Sequence, residues 1–185
     1  MSQRIVVAFT LVLVVMFALS CNKSNNTILS PSVPVELISN SSFENYGSPS
    51  LVGWTERDSL TVSLTRSAAP GGGNWSLTIA ATWFPASYAK TTVPTVEGNH
   101  RYRFSFWGKH GETWIGGASI LLKHSDTLSL LNSIAVADTA WRLYSVLDTL
   151  TTITRDSIVV SLSGGANEII GGQTFFDLVK LEIIE

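Results

Sequence analysis

The chain has 185 residues, carries a formal net charge of -2, is only 14% charged, and holds one cysteine and six tryptophans. A weakly acidic balance excludes a nucleic-acid partner, because a phosphate backbone is met by a basic face. A lone cysteine excludes a disulfide framework, so burial of a core must stabilise the fold.

Residues 1–21 read as a secretory signal. Arg4 is the only charge before an apolar run from Ile5 to Leu19, which is short for a bilayer span of roughly 20 residues. The run ends on Phe17-Ala18-Leu19-Ser20-Cys21 and resembles a bacterial lipoprotein signal, in which a small residue precedes a cysteine that becomes the lipidated N-terminus. Ala18 stands where the commonest form of that motif has Leu. The resemblance implies a protein lipid-anchored to a membrane of the bacterial cell envelope through Cys21. The alternative is an ordinary signal or anchor with a chance cysteine. Residues 22–34 are polar, aperiodic and contain two prolines, as in a flexible tether.

Residues 35–185 form the predicted domain. Short runs rich in Val, Ile, Thr and aromatics alternate with Gly, Asn, Asp and Pro clusters. Strands are expected over Glu36–Ile38, Ser59–Arg66, Trp75–Thr82, Tyr88–Thr92, Arg101–Lys109, Ala118–His124, Leu130–Val136, Trp141–Leu147, Ser157–Ser163 and Thr174–Ile184. Gly-rich turns separate several of them, as at Gly71–Asn74 and Ser163–Asn167. No segment outside the signal has a helical period. The expected fold is all-β, an antiparallel β-sandwich in one monomeric unit. Within Arg101–Lys109, alternation sends Tyr102, Phe104 and Phe106 to one face and Arg103, Ser105, Trp107 and Lys109 to the other.

Three stretches carry a family resemblance: Glu36-Leu37-Ile38-Ser39-Asn40-Ser41-Ser42-Phe43-Glu44 followed by Trp54, Tyr102-Arg103-Phe104-Ser105-Phe106-Trp107-Gly108-Lys109, and Phe175-Phe176-Asp177-Leu178-Val179-Lys180-Leu181. They resemble the opening, central and closing motifs of carbohydrate-binding modules with the galactose-binding-like jelly-roll fold. Gly73–Leu77 and Trp141–Ser145 resemble two further strand motifs of these modules. Leu178 replaces the second of the two adjacent Asp residues usual in the closing motif. The resemblance implies non-catalytic binding of a polysaccharide or oligosaccharide. It also implies a structural calcium held by Glu44 and Asp177, with carbonyls of the Gly71–Asn74 loop as candidates to complete the shell. Asp177 shares parity with Val179 and Leu181, which points it inward, where a carboxylate needs a partner or a metal. Hydrogen bonding to backbone amides without a metal is the other reading.

A sugar ring offers an apolar C–H face to an aromatic plane and hydroxyls to polar side chains. Trp107 with Arg103 and Lys109 supplies that combination. Trp83, Tyr88 and Trp114, in or near loop-like stretches, are further ligand candidates. Trp54, Trp75 and Trp141 fall at family-like structural positions and are read as core. Signals for an enzyme are absent. There is no Gly-x-Ser-x-Gly elbow, no His-Glu-x-x-His and no Gly-rich phosphate loop. His100, His110 and His124 lack ligand spacing, and Glu56, Asp58 and Glu112 read as solvated charges rather than the paired carboxylates of a glycosidase. A structural or protein-interaction domain on the same fold is the alternative function, and a small glycan-active hydrolase or lyase a remote one.

Overall fold

The computed structural model describes residues 33–82, 86–111, 116–165 and 172–184, all within one unit, Val33–Glu185. Its strands in chain order are β1 (Val35–Glu36), β2 (Glu44–Asn45), β3 (Ser48–Pro49), β4 (Thr55–Glu56), β5 (Val62–Thr65), β6 (Ser76–Ala80), β7 (Tyr88–Pro94), β8 (Gly98–His110), β9 (Gly117–His124), β10 (Thr127–Ala135), β11 (Arg142–Thr152), β12 (Ser157–Ser163) and β13 (Gln173–Ile183). No helix occurs among the described residues.

Two antiparallel sheets make a sandwich. One runs β11-β8-β13-β6-β5 with β1 added on β13, and the other runs β10-β9-β12-β7-β4. Period-two patterning explains the packing. β8 buries Tyr102, Phe104 and Phe106, β12 buries Ile158, Val160 and Leu162, and β6 buries Leu77 and Ile79. Phe106 is the aromatic hub. Its ring lies 5.4 Å from Phe104, 5.2 Å from Tyr144 and 5.8 Å from Phe176. Each such ring removed from water contributes roughly 1.5–3 kcal/mol.

The short strands β2, β3 and β4 lie outside the predicted strands. β2 and β3 join through Tyr46 and Gly47, with φ of 52° and 78°. Two consecutive positive φ values suit a tight hairpin turn. Two-residue strands hold too little alternation to be read from sequence.

Candidate functional site

The outer face of β8 presents Arg103, Ser105, Trp107 and Lys109, all half-buried. Its neighbours stand in antiparallel register. Trp107 opposes Leu143 on β11 and Asp177 on β13. Ser105 opposes Ser145 and Lys180, and Arg103 opposes Leu147 and Glu182. Arg103, Ser105, Trp107, Leu143, Ser145 and Lys180 line a groove of about 370 Å³, together with Leu178 and Glu182. An indole flanked by hydroxyls and cationic side chains is thus open to a ligand. Arg103 Nε donates to Glu182 Oε2 at 2.7 Å, and this bond holds the guanidinium further above its ordinary pKa. Glu182 is therefore an orienting partner rather than a free acid.

Lys109 stands one residue pair beyond Trp107. Its Nζ donates to Ser67 Oγ at 2.9 Å and lies 4.9 Å from the Trp141 ring centroid and 4.8 Å from that of Phe175. The two rings meet edge to face at 6.4 Å. Trp141 is therefore half-buried on the outer face, not in the core as the sequence suggested. It has the parity of Leu143 and Ser145, so the strand's own alternation sends it outward. Phe175 was not among the expected ligand residues, although of the adjacent pair Phe175 and Phe176 on one strand only one ring can point inward.

Trp75 is also not core. It is half-buried just before β6, under the Arg66 guanidinium at 5.2 Å. Trp54 does pack against the core, its ring tilted against Phe43 at 5.2 Å, and donates its indole N–H to the Asn40 carbonyl at 3.0 Å. Tyr88 belongs to the other sheet, where Lys90 Nζ lies 5.3 Å from its ring. The structure thus groups Arg103, Trp107 and Lys109 on one face and separates Tyr88 from them. Trp83, Trp114 and Cys21 lie outside the described residues.

Glu44 and Asp177 converge on the loop around Gly72 and Gly73. Glu44 Oε1 accepts the Trp75 N–H at 2.6 Å and also the Asn74 N–H. Asp177 Oδ2 accepts the Ala69 N–H at 2.8 Å, and Oδ1 accepts the Leu178 N–H at 2.7 Å. A Cβ on Gly72 would lie 2.0 Å from Asp177 Oδ2, and one on Gly73 would lie 2.6 Å from Glu44 Oε1. Both positions therefore require glycine. Asp177 is fully buried, though not through the inward parity expected of it. A bulge between Asp177 and Lys180, with Leu178 at φ 47°, breaks the alternation. Asp177 opposes the outward Trp107 and is covered by the 69–73 loop instead. Burial, reinforced by the Glu44 charge, pushes its pKa up to about 6 against the pull of the two amides.

No cation of the protein neutralises the Glu44–Asp177 pair among the described residues. Two neighbouring carboxylates without a basic partner fit a hard cation such as calcium. No group of three or more His, Cys, Asp or Glu gathers anywhere among the described residues, so such an ion would need backbone oxygens too.

No protein-family model and no curated protein matches the chain. Solved structures do. The module TmCBM61, determined with β-1,4-galactotriose, superposes with a TM-score of 0.54 at 19% identity, over 80% of this chain and 97% of that one. A family 16 carbohydrate-binding module gives 0.56 at 22% identity, over 78% and 98%. The CBM22-1 xylan-binding domain of Paenibacillus barcinonensis Xyn10C gives 0.57 at 15% identity, over 83% and 97%. The chain therefore has the jelly-roll sandwich fold of carbohydrate-binding modules.

Proposed function

We propose that this chain is a non-catalytic glycan-binding module, a monomer anchored at the bacterial cell envelope by a lipid on Cys21, that holds a polysaccharide or oligosaccharide along the outer face of β8. The observation that carries this reading is the groove of about 370 Å³ in which Trp107 is flanked by Ser105, Ser145, Arg103 and Lys180. A sugar ring would lay its C–H face on the indole, while the hydroxyls and cationic side chains would bond its hydroxyls. The fold shared with carbohydrate-binding modules supports the same assignment.

Calcium belongs to this proposal as a structural ion. Glu44 and Asp177 would hold it, and it would supply positive charge between two carboxylates that otherwise repel, tying the first hairpin to the closing strand.

The test is affinity electrophoresis of the purified full-length protein through gels containing neutral and acidic polysaccharides. Retardation by at least one polymer, lost on Trp107→Ala, is expected. Retardation by none, or binding untouched by Trp107→Ala, would sink the assignment. Release of reducing sugar would favour a hydrolase instead. Leu143 and Leu147, 53% and 48% exposed on β11, favour one other reading, a protein-docking face. Loss of a co-purifying envelope protein on Leu147→Asp, without any glycan binding, would support that reading.

A further inference from the structure

The whole chain carries a slight acidic excess, yet the β8 face and its border hold two lysines, Lys109 and Lys180, outside any ion pair among the described residues. Lys180 lines the groove opposite Ser105 and makes no ion pair among the described residues, with Glu36 a more distant counter-charge. Lys109 lies two residues from Trp107 on the same face, roughly 7 Å along the strand. Its one hydrogen bond goes to a neutral hydroxyl, Ser67 Oγ, and two aromatic rings fix its direction. An ammonium has three donors, so Lys109 keeps capacity for an acceptor that the protein does not provide. Arg103 is the contrast: Glu182 already offsets its charge at 2.7 Å, through one of its five donors.

We infer that the β8 groove takes an acidic glycan, whose anionic groups are received by Lys109 and Lys180 on either side of a ring stacked on Trp107. This inference rests on the glycan-binding reading and narrows its ligand class. Partial burial lowers the Lys109 pKa, as expected of an ammonium desolvated with no counter-charge, and an anion would reverse that effect. The aromatic pair also holds the lysine in place before binding, which reduces the ordering cost of the contact. A carboxylate and a sulfate ester would both satisfy the two ammonium groups.

The experiment compares polymers of matched backbone against the full-length protein: polygalacturonate with its methyl ester, and a galactan with its sulfated form. Titration calorimetry is run at low and high salt. The expected result is at least about tenfold tighter binding to one charged member than to its neutral partner, as charge-assisted hydrogen bonds imply. Added salt should diminish that preference. Lys109→Gln with Lys180→Gln should abolish it, while Lys109→Arg with Lys180→Arg retains it. Which charged polymer wins identifies carboxylate or sulfate. Equal binding of charged and neutral members, insensitive to the Gln pair, overturns the inference and leaves glycan binding standing. Binding to no polymer overturns both. Equal retention on sulfated polymer and on anionic phospholipid vesicles, untouched by Trp107→Ala, reduces the face to unspecific charge and also overturns it. An unchanged melting midpoint in the Gln pair shows that its loss of preference is not a folding defect.

Discussion

The outer faces of the two sheets arise from the same alternation of antiparallel strands and differ in what stands at every second position. On the β8 face the rings of Trp107, Trp141 and Phe175 alternate with Arg103, Lys109 and Lys180. Over β9, β10 and β12, Ser119 opposes Ser133 and Ser161, with the Ser119 and Ser133 hydroxyls 3.1 Å apart. The next row there is Leu130, Leu121 and Val159. A groove of about 310 Å³ exists there too, but small residues such as Gly117, Ser119, Ser133 and Ser163 line it. Space alone does not make a sugar site. The proposed glycan site needs a flat apolar plate with donors beside it, and the described residues assemble that combination around Trp107. Tyr88, paired with Lys90, is the aromatic that could challenge this contrast from the other sheet.

The largest effect should come from the core that both faces share. Phe106→Ala removes a fully buried ring and should cost about 3–5 kcal/mol. Denaturant unfolding would measure it, and a loss under about 1 kcal/mol would mean that the aromatic hub does not anchor the core.

One residue further along β8, Trp107→Ala should act on binding instead of folding. A central stacking aromatic is commonly worth about 2 kcal/mol or more, roughly a 30-fold loss of affinity. Tyr88→Ala on the other sheet should leave affinity unchanged. Calorimetry with the same polymer decides the matter, and the reverse outcome would move the binding face to the second sheet.

The carboxylate pair gives an effect that depends on pH. Asp177 titrates at about 6 in the folded chain against an ordinary 3.8, so the folded state binds the proton more tightly than the unfolded state. With a chelator present, the stabilisation from this proton is complete below 3.8 and disappears as pH rises to about 6. Calcium should restore stability at neutral pH by favouring the ionised form, adding about 2.7 kcal/mol at a free concentration of 100 times its dissociation constant. Melting curves from pH 4 to pH 7, with calcium and with chelator, would show this. A midpoint indifferent to calcium at pH 7 removes the ion from the site, and an Asp177→Asn variant with the same pH slope removes the carboxylate as its cause.

The smallest effect concerns the Arg103–Glu182 pair, whose side chains are 40% and 14% exposed. Glu182→Gln should change stability by about 1 kcal/mol or less, since the guanidinium side of the pair remains open to water. Its sharper consequence should be on ligand charge. With Arg103 released, the preference for acidic over neutral polymer should rise, and an unchanged preference would show that Arg103 does not reach the bound chain.

How much of this was readable beforehand depends on the range of each interaction. Tyr102, Phe104 and Phe106 inside, with Arg103, Ser105, Trp107 and Lys109 outside, follow from strand alternation, a local property with a period of two residues. The same property places Trp141 outside, against the core position that the motif resemblance implies. Alternation failed at Asp177 because one inserted residue, accommodated by Leu178 at positive φ, turned the register over. Alternation also does not say which sheet a strand joins. Tyr88 was therefore grouped with Trp107 by residue type, although the two strands lie in different sheets.

By itself the sequence determined the all-β sandwich, its aromatic core and the outward face of β8, because hydrophobic burial acts through the period of the strand. Tertiary structure alone decided that Phe175 and Trp141 close on Lys109, that Glu182 neutralises Arg103 while Lys180 stays unpaired, and that a glycine loop covers Asp177. Each of those contacts joins segments far apart in the chain, so it exists only once strand order and register bring the side chains together.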